Sequence, residues 1–597
     1  MELNAWALVA VGVVGAATFY LGQHSSRMAN STHDFLLARR AVRSQRNAAA
    51  ISGEYLSAAS FLGIAGVVLK DGADALWYPI GFAAGFLALM LFVAAPLRRS
   101  GAYTLPDFME GRLAASRRIR GFASFVVVLI GVLYLVPQLQ GAGLAFATVL
   151  PAPVWVGATV VALVVMVNVV AGGMRSITVV QAFQYWLKLF AISLPAFVLG
   201  AVFVSGSAGP HSGGLDAQAP PVFPERTTVE IETPVMLQVD EATLLHADGT
   251  VNGAPAEGEV FWSSEVSHEV DAGTTLRFDA GTPVPSVEGS VPDNASWLVP
   301  GSDGAGGLVG TYSLMIALFL GTMGLPHILV RFYTNPDGKA ARRTTVHVLL
   351  LLGLFYLFPT MLGALSRLYV PELLVTGETD AAVLLLPSAM LPGVAGQVLA
   401  AVIFAGAFAA FLAACSGLVF SVAGVVATDL LPGSVRDFRV ASVITAVIPL
   451  VLAVVLRPTD LSLSIGLAFA LAASTFCPLL VLGIWWRGLT ARGALLGMLA
   501  GGGLVLIAFG LTLAAGYTGG SVPVLVQRPA LVSVPVAFLV MIIASKATQR
   551  AVPPGVGALM LGMHAPDPLG FVQDREIPRF GRAEERLRFS KRRHEER

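Results

Sequence analysis

The chain has 597 residues, 55% of them hydrophobic and only 13% charged. This excludes an ordinary soluble globular protein and describes a polytopic membrane protein, with the lipid bilayer as its first partner. The formal net charge of +1 conceals a segregation of sign, with basic residues in one set of loops and acidic residues in another; that pattern sets orientation in a membrane and excludes a nucleic-acid partner. Both cysteines, Cys415 and Cys477, lie inside apolar runs, so there is no disulfide framework and no CxxC metal site.

The first apolar run, 3–21, has no basic stretch before it and reads as a retained span. Arg27, Arg39, Arg40, Arg43 and Arg46 follow it, which predicts an outside N-terminus and a cytoplasmic first loop. The next span, 48–69, carries Glu54, Ser52, Ser57, Ser60, Gly53, Gly63 and Gly66 where a lipid-facing helix would carry Leu and Val. Glu54, Ser57 and Phe61 recur at helical spacing, and the small residues allow unwinding or close approach of a neighbour. The plainer reading is a small-residue packing helix with one neutral, hydrogen-bonded Glu.

Spans follow at 77–97, 121–148, 152–171 and 179–205, with Gln138 and Gln140 beside Pro137 and Gly141 in the second of these. Those amides either face a cavity or join helices. Residues 206–306 turn polar and acidic and belong outside. Alternation of polar and apolar residues at 228–232 and 275–279 predicts a small β-rich insertion. The sequon Asn294-Ala295-Ser296 reads as chance. The span 308–332 is interrupted by Gly321, Gly324 and Pro326. Arg331, Lys339, Arg342 and Arg343 fall in the cytoplasmic loop after it. Further spans at 345–366, 393–428, 439–456, 461–485, 493–515 and 528–545 bring the expected total to 13. The domains are thus helices 1–6 (1–205), the outer insertion (206–306), helices 7–13 (307–545) and a cytoplasmic tail (546–597), whose mixed-charge run 584–597 reads as a solvated end.

Interrupted spans at corresponding places in two sets of five point to an inverted-repeat secondary transporter, with cargo and coupling ion beside the breaks. Unwound backbone offers carbonyls to a cation, and a half-helix N-terminus offers amides to an anion. The amides of Gly324 and Leu325, with Gly321, Thr322, Tyr55, Ser57 and Gln138 around them, are the expected substrate site. A channel would need rings of like sites along a pore. A transporter-like sensor would need a recognisable signalling module in the tail. His327 and His347 have no ligand or nucleophile spacing, so no enzyme and no catalytic residues are expected.

The segments 54–63 (EYLSAASFLG), 103–108 (YTLPDF), 172–176 (GGMRS), 324–334 (GLPHILVRFYT), 469–478 (FALAASTFCP) and 493–498 (GALLGM) resemble the sodium:solute symporter family, nearest to its cation/acetate branch, over residues 35–510. The resemblance implies an all-α LeuT-like core of 5+5 helices with extra helices, cation coupling and alternating access in the plasma membrane. It assigns a second sodium site to the carbonyls of Gly53 and Leu56, the carbonyl of Ala410, and hydroxyl positions at Ala413 and Ala414, where this chain has no side-chain oxygen; Ser416 would substitute only with a register shift. Gly488, preceded by Arg487, stands where the family has a basic residue. Two couplings are open: Na+ held by Glu54 with backbone carbonyls, or H+ carried by Glu54. The expected function is cation-coupled symport of a short monocarboxylate such as acetate, the alternative being another small solute such as a sugar or proline. No cofactor beyond the coupling ion, no metal beyond the sodium site and no protein partner are expected.

The orientation is testable. A Ser264→Cys protein should react with an impermeant thiol reagent in right-side-out vesicles; reaction only in inverted vesicles would reverse the assignment.

Overall fold

The computed structural model describes residues 4–26 and 42–569, apart from 151, 210, 213, 216–218, 232–234, 265, 288–290, 292, 302–303, 432–434, 457–460 and 519–521. Arg27, Arg39, Arg40 and the mixed-charge run 584–597 lie outside the described residues.

Backbone groups in hydrocarbon have no water to bond, so the apolar runs fold as helices. The first half comprises α1 (Ala5–Ser26), α2 (Ser44–Tyr55), α3 (Ile64–Asp71, entered through a π-turn at Ala59–Gly63), α4 (Trp77–Ala88), α5 (Ala94–Arg99), α6 (Leu105–Leu113), α7 (Arg117–Val149), α8 (Val154–Ala171) and α9 (Met174–Val204). The second half comprises α10 (Asn294–Trp297), α11 (Gly304–Thr322), α12 (Pro326–Phe332), α13 (Gly338–Tyr369), α14 (Leu373–Thr376), α15 (Ala382–Met390), α16 (Val394–Val425), α17 (Val435–Val455), α18 (Leu461–Trp485), α19 (Ala491–Thr518), α20 (Val524–Gln527), α21 (Ala530–Ala547) and α22 (Val556–His564).

Among the described residues, 12 helical stretches are long and apolar enough to cross a membrane. The expected 13 differs because one of them, Ala59–Arg99, has 41 residues; as a single helix it would be roughly 60 Å long, about twice the hydrocarbon thickness. It is broken at Gly72, whose φ of +59° begins a 3-10 turn and whose missing side chain admits the carbonyl of Trp297. Contacts at its ends show that it folds back. The Ser44 hydroxyl donates to Ala340 O (3.2 Å), the Trp297 indole N–H donates to Leu69 O (3.1 Å), and Arg98 Nε donates to Asn335 O (2.6 Å). The chain therefore runs from one face of the bundle to the other at Leu69 and returns by Arg98. The span α11–α12 begins near Trp297 and ends before Asn335, so it runs opposite to α2–α3. Opposed first helices of two five-helix sets are what inverted repeats produce.

The expected β-rich insertion is a seven-stranded sheet: β1 (Thr227–Glu230), β2 (Val235–Gln238), β3 (Thr243–Val251), β4 (Ala254–Trp262), β5 (Ser267–Val270), β6 (Thr275–Phe278) and β7 (Ser286–Val287). The order is β1-β6-β3-β5-β2-β7, with β4 on β3, and all pairs are antiparallel. The two alternating runs noted in the sequence pair with each other, Thr228 opposite Arg277. Alternation buries Leu245, Trp262, Leu276 and Phe278 on one side, joined by Val375 of α14, which anchors the sheet to the helical body. Asn294 of the sequon is buried, donating to Gly214 O (3.1 Å) and accepting from Arg367 Nε (2.7 Å), so its amide is engaged inside the fold.

The start of the tail docks on the bundle. His564 Nε2 meets Ile484 O (2.9 Å). The Asp567 carboxylate accepts from Arg99 Nε (2.9 Å) and from the amides of Gly338 and Lys339 (3.2 Å each), placing a negative charge at the N-terminus of α13. The Arg99 hydrogen bond, with those amides, holds the Asp567 carboxyl below its usual range. A depressed carboxyl stabilises the docked tail above its ordinary pKa and loses that contribution as pH falls through the depressed value. Asp567→Asn should therefore expose 556–569 to protease several-fold faster at neutral pH, with the difference from wild type vanishing in acid.

Candidate ion and substrate site

The first break arises where the helical ladder of α2 is diverted. Leu56 N still donates to Ser52 O (3.0 Å), but Ser57 N turns to Tyr55 O (2.8 Å) and Ser60 N to Ser57 O (3.1 Å). The carbonyls of Gly53 and Leu56 thereby lose the amides four residues on. One side chain takes both: Lys188 of α9, buried, donates from Nζ to Gly53 O (2.5 Å) and to Leu56 O (2.6 Å). Gly53 is required here because a Cβ would lie 2.3 Å from Gln181 O on α9.

Glu54 was expected to need a bound cation or proton; its counter-charge is instead Arg331, expected in the cytoplasmic loop but buried here on α12. Arg331 Nε donates to Glu54 Oε2 (2.8 Å), Nη1 donates to Thr178 Oγ1 (3.0 Å), and Nη2 bonds Gln181 Oε1. Gln181 Nε2 in turn donates to Ala413 O (2.9 Å). Glu54 lies against Gly417 of α16, where a Cβ would fall 1.9 Å from Oε1. Ala410, Ala413, Ala414 and Ser416 are all buried on that helix, which lies beside the break. Nothing in the sequence warned that the Gly53 and Leu56 carbonyls are occupied.

At the second break α11 ends at Thr322 and α12 begins at Pro326. The Gly324 amide, expected to be free for a carboxylate, donates to Gly321 O (2.7 Å). Gly321 and Gly324 let α18 approach: a Cβ would lie 2.6 Å from Phe469 O at the first and 2.4 Å from Ala472 O at the second. The breaks meet through Tyr55 and Thr322, whose hydroxyls are 2.8 Å apart. Thr322 Oγ1 donates to Leu318 O (2.7 Å), so Tyr55 is the donor between them. Leu325 caps α12 and is buried. Around this joint Tyr55 packs on Phe86 (ring centroids 4.6 Å apart), Phe82 (5.4 Å) and Phe469 (6.1 Å).

Ser57 and Gln138 belong to the same joint. Gln138 Oε1 accepts from Ala58 N (3.1 Å), capping the resumed helix, and the Tyr134 hydroxyl donates to Ser57 Oγ (3.4 Å). Gln138 Nε2 and His327 Nδ1 are buried with no hydrogen-bond partner, and the His327 ring packs edge-on against Tyr134 at 5.3 Å. Gln140, by contrast, joins helices through Leu456 O (3.1 Å).

Lys188, Arg331, Gln181 and Gly417 are the positions at this joint that sequence reading missed. A lysine inside the apolar run 179–205 was the available signal, since an intramembrane ionisable residue is costly without a partner.

Two oppositely directed broken helices meeting at a buried ionic and polar joint define a secondary transporter. The chain belongs to the sodium:solute symporter family, whose model matches residues 35–210 and 292–501; the interval between these segments carries the sheet. It is 28% identical over 557 residues to YwcA of Bacillus subtilis (strain 168), described as an uncharacterized symporter, covering 90% of this chain and 93% of that one. A solved structure of a Na+-coupled sialic acid symporter, in a substrate-bound outward-open state, superposes with a TM-score of 0.59 at 15% identity, covering 91% of this chain and 97% of that one; at this identity the likeness establishes the shared fold.

Breaking a buried ion pair from one side leaves a bare charge, at a cost of about 3–5 kcal/mol. Glu54→Gln and Arg331→Gln should each lower the melting midpoint of the purified protein markedly, and the double variant should lose less than the sum of the two. Additive losses would show that the pair is not coupled.

Proposed function

We propose that this family member is a cation-coupled symporter of a short monocarboxylate, acetate being the type, working by alternating access in the plasma membrane. The observation that carries the reading is the charge at the joint. One carboxylate, Glu54, faces two cations, Arg331 and Lys188, all buried, which leaves a surplus of one positive charge. Uncompensated charge in such an interior is costly, and an anionic cargo offsets it where a sugar or zwitterion does not. The free N–H of Gln138 and the hydroxyl of Ser57 are donors available to a carboxylate, while Tyr55 and Thr322 are engaged with each other and the aromatic packing around them favours a small cargo. Sialic acid, the cargo of the solved neighbour, is also a carboxylic acid, though larger.

The ion pair between Glu54 and Arg331 joins α2 to α12 on the side of the breaks that faces the end of the bundle carrying Arg98, Arg99, Arg342 and Arg343. The positive-inside rule assigns that end to the cytoplasm, with the N-terminus outside and the tail inside. Opening toward the cytoplasm then requires this pair to separate. Family membership favours sodium as the coupling ion; the alternative is a proton.

Proteoliposomes should accumulate labelled acetate under an imposed sodium or proton gradient. Gln138→Leu, which removes a donor to the bound carboxylate, should raise the half-saturating acetate concentration by roughly 10-fold. Competition by proline or a neutral sugar as strong as that by propionate would remove the anion reading and leave the alternative of another small solute.

A further inference from the structure

The residues that the family resemblance assigns to a second sodium ion do not fit sodium in this chain. The two carbonyls released at the first break, Gly53 O and Leu56 O, both accept from the Lys188 ammonium at 2.5 and 2.6 Å. The positions that should add hydroxyl oxygens are Ala413 and Ala414, which have none. On α16 the carbonyl assigned is that of Ala410, and the nearby Ala413 O accepts from Gln181 (2.9 Å). A hard cation needs a set of oxygen ligands, and here that set is incomplete while its two released members are occupied.

We propose that Lys188 is a tethered cation standing in for the second coupling sodium, so that this site takes no sodium. The ammonium supplies what sodium would supply, a positive charge between two carbonyls that the helix break leaves without donors. It differs in being covalently held by α9. Sodium departs when such a site opens, whereas Lys188 stays with the protein throughout the cycle. Electrostatics act the same way: Arg331 already neutralises Glu54, so a sodium ion at this place would be a further cation beside Lys188, and repulsion between like charges is strong in a buried setting.

The inference rests on the reading of the chain as a cation-coupled symporter and concerns only which ion this site accepts. Its test reads ion binding without substrate, so it fails independently of the acetate assay. Melting of the purified full-length protein is measured in sodium chloride and in choline chloride at equal ionic strength. A ligand that binds only the folded state raises the midpoint. The rise in sodium over choline should be at least ~3 °C larger in the Lys188→Ala, Ala413→Ser, Ala414→Ser protein, which frees the carbonyls and restores the hydroxyls, than in wild type, whose own rise reads only sodium bound elsewhere. A folded triple variant whose rise is no larger than that of wild type overturns the proposal. Should the triple variant not fold, Ala413→Ser, Ala414→Ser with Lys188 kept decides: its rise should equal that of wild type, and a larger rise shows sodium entering beside the lysine and overturns the proposal.

Discussion

The Lys188 ammonium between the carbonyls of Gly53 and Leu56 is the contact on which the arrangement of the bundle depends. A helix broken in the middle of a bilayer exposes backbone groups that no water can satisfy, and each such group costs several kcal/mol. The first break diverts the amides of Ser57 and Ser60 to nearer carbonyls, so the carbonyls left behind need an outside donor. Lysine suits this role because one ammonium carries three donors on a long stem, and it reaches both oxygens from a helix packed alongside. The same contact fixes α9 against α2 closely enough that Gly53 must lack a side chain.

From that contact the network extends without a gap. Gln181 lies seven residues before Lys188, two turns back along α9, and accepts from Arg331 while donating to α16. Arg331 closes the circuit onto Glu54, one residue from Gly53. Four helices, α2, α9, α12 and α16, are thus tied by polar groups at the place where two helices are interrupted. Gly53 and Gly417 are the positions where a side chain would push this network apart.

Much of the architecture was legible because it depends on local pattern. Apolar runs give the spans, Gly and Pro within them give the breaks, and alternation gave the strands β1 and β6, which pair with each other. The span count differed only where a turn at Gly72 divides one long helical stretch. The site was legible on one side alone. Span 48–69 announced itself by its polar residues, and Tyr55, Ser57, Gln138 and Thr322 do converge. Its counter-charges did not, because Arg331 lies 277 residues from Glu54 and Lys188 lies 135 from Gly53, and nothing in local composition reports such separations. Arg331 was misplaced for a definite reason. A basic residue at the end of an apolar run satisfies the positive-inside rule equally well as a loop residue or as the last turn of a buried half-helix.

The alanines at 413 and 414 make sense once the lysine is in view. Hydroxyls there would serve a sodium ion, but without one they would be buried groups seeking partners, a cost of about 1–3 kcal/mol each. Alanine removes that cost and packs α16 against the break. On the proposed reading, the alanines on α16 and the lysine on α9 serve one arrangement from two helices. The same logic connects the ion to the cargo. A site that carries its own fixed cation, with Glu54 already paired to Arg331, holds its positive surplus even when empty. On the proposed reading, a cargo that brings a negative charge resolves that surplus, and the lysine that would take the ion's place would also favour an anion.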